Sequence, residues 1–254
     1  MQPTLTIALR AARAAAEKLK YTHDQKPTAL AEGKSAQAVL EDAIEGASIR
    51  VGKVIRKAHP GHNIEVLQTG LNEARTPEDD ILWRINLLSG AENYEAGMPN
   101  VAVSVAYLVK GKVEHAAVVN PFTEEEYTAT RGRGMQHSGR RVRVSNQKKL
   151  SGALVALADI SLTDGLVAQL QEQEARIRIS GCGLLDLANA ASGRVSVALV
   201  NHLNEYELQV ASLFAQEAGG LTSTLSGQPV KSDSAQMLIA NAKLFKALMP
   251  LLAR

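Results

Sequence analysis

The sequence predicts an α+β protein. Three observations carry that expectation. The first sixty residues hold two amphipathic helical patterns, and the middle alternates apolar and polar residues with many β-branched side chains. From about residue 150, short apolar runs alternate with helical ones.

The elements follow in order. Leu5, Leu9, Ala12, Ala15, Ala16 and Leu19 recur at helical spacing, with Arg10, Arg13, Glu17 and Lys18 mostly off that face, so residues 4–20 form a helix. A second helix over 37–58 is stopped by His59-Pro60-Gly61. A buried strand is expected at 81–86. V-A-V-S-V-A-Y-L-V (101–109) turns through K-G-K into V-E-H-A-A-V-V-N (113–120), and another strand spans 126–131. The middle is therefore a meandering antiparallel sheet behind two N-terminal helices. Beyond it come a strand at 154–158 and helices at 164–173, at 180–194 (initiated by Ser180 and closed by Gly193) and at 207–220. A strand near 221–224 and a helix near 240–252 finish the chain. Repeats, low-complexity segments and long linkers are absent. The 110–150 region is the seam between two halves, giving subdomains of about 1–145 and 146–254.

Composition excludes several classes. At 254 residues the chain can build a full core, and 45% apolar with 21% charged residues is ordinary for a globular protein. Aromatics are 4%, so the core leans on Ala, Leu, Val and Ile. A net charge of +2 is too small to imply nucleic-acid binding without a local patch. The single cysteine, Cys182, allows no intrachain disulfide and is expected as a buried apolar residue in a reducing compartment. Arg10 and Arg13 interrupt the N-terminal apolar residues, so neither signal peptide nor membrane span is expected; the location expected is cytoplasmic.

Residues 83–94, W-R-I-N-L-L-S-G-A-E-N-Y, carry the most information. They resemble the W-x-x-D-P-x-D-G-T-x-N-F motif of the inositol monophosphatase family, with Trp83, Gly90, Asn93 and an aromatic Tyr94 in place. The resemblance extends along nearly the whole chain and is nearest to the SuhB branch. It includes V-I-R-K-A-H-P-G-H (54–62), Y-T-A-T-R-G-R-G (127–134), G-R-R-V-R-V-S (139–145), L-D-L-A-N-A-A-S-G-R (185–194) and Q-E-A-G-G (216–220). It implies one domain over 1–254 with the family's layered α-β-α-β-α sandwich, a homodimer, and, for the SuhB branch, a link to ribosomal-RNA antitermination through NusA and RNA polymerase.

The positions that match the family's active site depart from it. The two motif aspartates are Asn86 and Ser89, and the threonine is Ala91. In the Lys-Gly-x-x-Asp-x-Val-Thr segment, which brings an aspartate and a threonine to the nucleophilic water, Ala38 and Glu41 stand instead. The Val-Asp that follows matches Ala43-Ile44, the Glu-Glu pair matches Leu67-Gln68 with Leu67 at the metal-binding Glu, and the late Trp-Asp matches Tyr206-Glu207. The stretch between about 158 and 178 is also shorter than in the family. A hard cation such as Mg²⁺ takes oxygen ligands with carboxylates supplying the charge. Clustered carboxylates repel one another without it, so their joint loss lets the apo fold stand alone. The expectation is a catalytically inactive binding or regulatory protein without metal or other cofactor. The alternative is a Mg²⁺-dependent inositol-phosphate or sugar-phosphate hydrolase in which Glu207, Asn86 and Glu65 or Glu92 rebuild a site.

Ser89-Gly90-Ala91-Glu92 matches a capping box that would place Glu92 on a helix N-terminus otherwise suited to phosphate. Arg131, Arg133, Arg140, Arg141, Arg143, Lys148 and Lys149 form a run without an acid among them. Two readings stay open: contact with RNA phosphates or an acidic protein face, and a solvated basic edge built on hairpin turns. Aromatic stacking partners for single-stranded RNA are missing nearby. Gly132 and Gly134 make no dinucleotide fingerprint, because His137 stands where the third glycine belongs. His59 and His62 sit in a Pro-Gly loop unsuited to zinc, and no Ser–His–Asp arrangement is evident.

Overall fold

Proline at the first helical position opens α1 (Pro3–Ala31), where the N–H it lacks has no helical acceptor anyway. The computed structural model describes residues 2–73, 80–158 and 165–252. They divide into two compact units, one ending at Thr130 and the other beginning at Arg131. The fold has helices and mixed sheets, the α+β class expected.

In the first unit, α1 and α2 (Ala36–Ala58) pack on a sheet in the order β2 (Leu71–Glu73), β1 (Asn63–Val66), β3 (Ile81–Ser89), β4 (Ala102–Val109), β5 (Lys112–Val119), β6 (Glu126–Thr130). Ala8, Ala12, Ala15, Leu19, Ala43, Ala47, Val51 and Ile55 from the helices share one core with Ile64, Trp83, Ile85, Val103, Val105 and Ala117 from the strands. Small helix residues let the backbones approach. Gly46 leaves room for the Lys18 side chain, from which an added Cβ would lie 2.1 Å, as Lys18 reaches Asp42 at 2.8 Å.

Two expectations need correction here. The strands from β3 to β6 form the expected antiparallel meander, but β1 runs parallel to β3, so the sheet is mixed. α1 also runs eleven residues past the expected end at 20. Its second half lacks a clean apolar stripe and contains Pro27, which removes one helical hydrogen bond. Tertiary contacts hold it instead. The His23 ring meets Phe122 and Tyr94 edge-on at 4.9 and 5.5 Å, and Lys26 Nζ donates to the Glu95 carbonyl at 2.6 Å.

The second unit is a sheet in the order β10 (Arg176–Ile179), β9 (Leu154–Leu157), β11 (Val197–Val200), β13 (Met237–Ala240), β12 (Leu221–Ser223), plus a hairpin of β7 (Gly134–His137) and β8 (Arg140–Val142). Val155, Leu157, Val197, Leu199, Leu238 and Ala240 point to α4 (Leu166–Glu172) and α7 (Ala242–Leu252). Ala156, Ala198, Val200, Met237 and Ile239 point the other way, to α5 (Gly183–Ala191) and α6 (Glu205–Ala218). Burial on both faces explains why L-V-A-L, V-A-L-V and M-L-I-A are continuously apolar rather than alternating. The helix expected at 164–173 is α4; residues 159–164 lie outside the described residues. Among the described residues no helix is long and apolar enough to cross a membrane.

Candidate functional site

The parallel pairing of β1 with β3 sets Val66 beside Ile85 and carries the following turn to the end of β3, where Leu67 N donates to the Ile85 carbonyl at 3.0 Å. Between Asn86 and Ser89 the β3–β4 register shifts in a bulge. Turn and bulge together bring Gln68, Asn86 and Ser89 into one network.

Gln68 Nε2 donates to Asn86 Oδ1 at 2.5 Å, and Gln68 Oε1 accepts from Leu87 N at 2.8 Å. Asn86 Oδ1 also accepts from Leu88 N at 3.1 Å, while Asn86 Nδ2 donates to Ser89 Oγ at 3.1 Å. Leu87 stands where the family motif has proline. Its N–H, which proline lacks, is the group Gln68 satisfies. Asn86 and Ser89 are buried, so each of these bonds replaces hydration lost on folding.

A divalent cation does not fit this donor set. Asn86 Oδ1 already accepts two hydrogen bonds, one for each lone pair. The Leu67 side chain offers no ligand atom, and Gln68, Asn86 and Ser89 bring no negative charge. Glu65, one of the carboxylates that could rebuild a site, pairs with Arg84 at 2.5 Å. Glu92 is exposed. Among the described residues no group of three or more His, Cys, Asp or Glu is arranged to hold a metal.

The expected capping box at Ser89–Glu92 is not formed. Gly90 is the N-cap of α3 (Ala91–Ala96), in the left-handed region at φ 82°, and no side chain caps the helix. Ser89 belongs to β3 and its hydroxyl is taken by Asn86. Ala91 is exposed at the first helical position. Asn93 and Tyr94 keep structural tasks: Asn93 Nδ2 donates to the Asn100 carbonyl and Tyr94 Oη to the Leu19 carbonyl, both at 2.8 Å.

Ala38, Glu41 and Ile44 lie on α2, which Ser35 caps by accepting from Ala38 N at 3.1 Å. Ala38 and Glu41 are exposed, Glu41 accepting from Gln37 at 2.9 Å, and Ile44 packs partly into the core. In the second unit Glu207 completes a capping box at the start of α6: Glu207 N donates to Asn204 Oδ1 at 2.9 Å, and Asn204 N to Glu207 Oε2 at 3.3 Å. This helix begins two residues before the expected 207. The N-x-x-E pattern at 204–207 was the available signal.

The segment at 180–186 also departs from expectation. Ser180 is not the N-cap of α5, which starts at Gly183 after Cys182. The Ser180 hydroxyl accepts from Cys182 N at 3.1 Å and donates to Asp186 Oδ2 at 2.6 Å. Cys182 is buried, as expected, and burial pushes its thiol up to about 12. Burial likewise pushes the Asp186 carboxyl up to about 7, with the Ser180 hydrogen bond opposing. Sequence reasoning missed this buried acid, because an aspartate in an apolar helix carries no mark of its depth.

The basic run occupies the β7–β8 hairpin and the chain on either side, and Arg131, Arg133, Arg140, Arg141, Arg143, Lys148 and Lys149 are all exposed. α6 braces its base: Glu217 accepts from Gly132 N and Gly134 N, both at 2.7 Å, and Arg131 Nη1 donates to Gln216 Oε1 at 3.1 Å. The Arg141 guanidinium lies against Gly134, where an added Cβ would sit 3.1 Å from its Nε. Arg143 Nη1 lies beside Gly219, the residue ending α6. A cation is favourable at that helix terminus.

A model of the inositol monophosphatase family matches residues 1–254. The Nus factor SuhB of Pseudomonas aeruginosa is 37% identical, over 98% of this chain and 95% of its own. The Nus factor SuhB of Escherichia coli strain K12 is 30% identical over the same shares. Among solved structures, the extragenic suppressor protein suhB from Bartonella henselae superposes with a TM-score of 0.84 over 100% of both chains, at 22% identity. The chain belongs to the inositol monophosphatase family.

Proposed function

We propose that this protein is a SuhB-like pseudophosphatase: a cytoplasmic, homodimeric binding protein that joins the transcription machinery, through NusA or RNA polymerase, in antitermination and ribosomal-RNA synthesis. The observation that carries the catalytic half is the network in which Asn86 and Ser89, at positions matching family ligands, are bonded to each other and Asn86 to Gln68. A phosphoryl transfer of this family's kind needs positive charge on the phosphoryl oxygens and an activated water, both supplied by metal. The regulatory half is supported by the relatives named Nus factor, which match nearly the full length.

Two measurements on the purified chain test the reading. Inositol monophosphate with millimolar Mg²⁺ gives no EDTA-sensitive phosphate release, and purified NusA or RNA polymerase binds the chain with or without EDTA. EDTA-sensitive turnover well above background contradicts the first half. Failure to bind either partner contradicts the second.

A further inference from the structure

We propose that the β7–β8 hairpin and the segment after it form a docking surface for an acidic, extended stretch of a partner protein. The proposal rests on the reading of the chain as a binding protein and names the chemistry of what it binds. In the first unit Arg13 pairs with Glu126, Lys18 with Asp42 and Lys20 with Glu124. The basic run gathers exposed cations on one hairpin and the segment after it. Among the described residues no ion pair within 4.0 Å involves Arg133, Arg140, Arg141, Arg143, Lys148 or Lys149. The nearby carboxylate of Glu217 is spent on two backbone amides instead of on a guanidinium. Like charges held close together repel one another, and a ligand of opposite charge removes that cost.

Two features choose the ligand. Among the described residues β8 has one sheet neighbour, β7, so its other edge can take an added strand. Arginines along that edge repel an identical copy and admit an acidic chain. An RNA ligand fits less well, because the unit exposes no Phe, Tyr or Trp ring for bases to stack on. Among its described residues Tyr206 and Phe214 are buried and Phe245 is half-buried.

The test uses the full chain, a labelled Asp/Glu-rich peptide and a labelled single-stranded RNA of matched length and charge, with fluorescence anisotropy over a salt series. The wild type binds the peptide more tightly than the RNA, and affinity falls as salt rises. Reversing Arg133, Arg140, Lys148 and Lys149 to Glu weakens peptide binding by about tenfold or more. Arg141 and Arg143 are left in place because they pack on Gly134 and Gly219. Near-UV circular dichroism checks the fold. If the reversed variant unfolds, the neutral variant with Gln at the same four positions must show the loss. No peptide binding at low salt, equal binding by a folded variant, or tighter binding of RNA overturns the proposal. Metal-dependent turnover in the same preparation would overturn the pseudophosphatase reading and leave the peptide result standing; failure of peptide binding would do the reverse.

Discussion

Gln68 and Asn86 meet amide to amide, with Gln68 Nε2 donating to Asn86 Oδ1 at 2.5 Å. Backbone donors fix the direction of this bond. Leu87 N holds Gln68 Oε1, which turns the Gln68 NH₂ toward Asn86, and Leu88 N holds Asn86 Oδ1, which turns the Asn86 NH₂ toward Ser89. The chain of donation runs one way, from the Leu87 amide through Gln68 and Asn86 to Ser89. A carboxylate at Gln68 would break it, because it has no hydrogen to donate to Asn86 Oδ1.

Gln68→Glu tests that requirement. A carboxylate keeps the acceptor for Leu87 N but cannot donate to Asn86 Oδ1, so two acceptors face each other. Stability at neutral pH should fall by about 1 kcal/mol. The loss should shrink under acid, when the new carboxyl binds a proton and becomes a donor. Urea unfolding at neutral and acidic pH measures both; a loss that grows with acidity would contradict the network.

Asp186→Asn reports on the buried acid of the second unit. Burial holds the Asp186 carboxyl near 7, against the Ser180 hydrogen bond, whereas in the unfolded chain it titrates near the usual carboxylate value of about 4. Between those values the folded protein binds a proton that the unfolded chain releases. The contribution is therefore full below about pH 4 and is lost as pH rises through 7. The asparagine variant still accepts from Ser180 and should lose this pH dependence, gaining on the order of 1–3 kcal/mol relative to wild type above neutrality. Parallel stability–pH profiles would show that the carboxyl titrates normally.

Sedimentation at micromolar concentration should give a homodimer, as the family resemblance implies. A single monomeric species would remove dimerisation from the proposal.

Periodicity made the amphipathic part of α1, all of α2 and the β4–β5 hairpin legible, because each has one apolar face and a clear stop. It missed the end of α1 at Ala31, which rests on His23, Lys26 and their tertiary partners. It also missed β10, β11 and β13, whose burial or edge position hides the period of two. At the site, the family resemblance pointed to Leu67, Asn86 and Ser89 as the positions matching metal ligands, with Gln68 beside them. The bonds among Gln68, Asn86 and Ser89 depend on the β3 bulge and the parallel β1–β3 register, which no local pattern announces. The Ser89 capping box failed for the same reason: the serine had a tertiary partner.

Mg²⁺ titration by calorimetry, with parallel melting curves, tests most directly whether the network has replaced the metal. Leu67→Glu/Asn86→Asp/Ser89→Asp is the control. Its clustered carboxylates should lower the melting temperature without Mg²⁺ and recover it with millimolar Mg²⁺. The wild type should show no saturable heat and an unchanged melting temperature over the same range. Saturable Mg²⁺ binding by the wild type, with a melting temperature that rises with occupancy, would contradict the account.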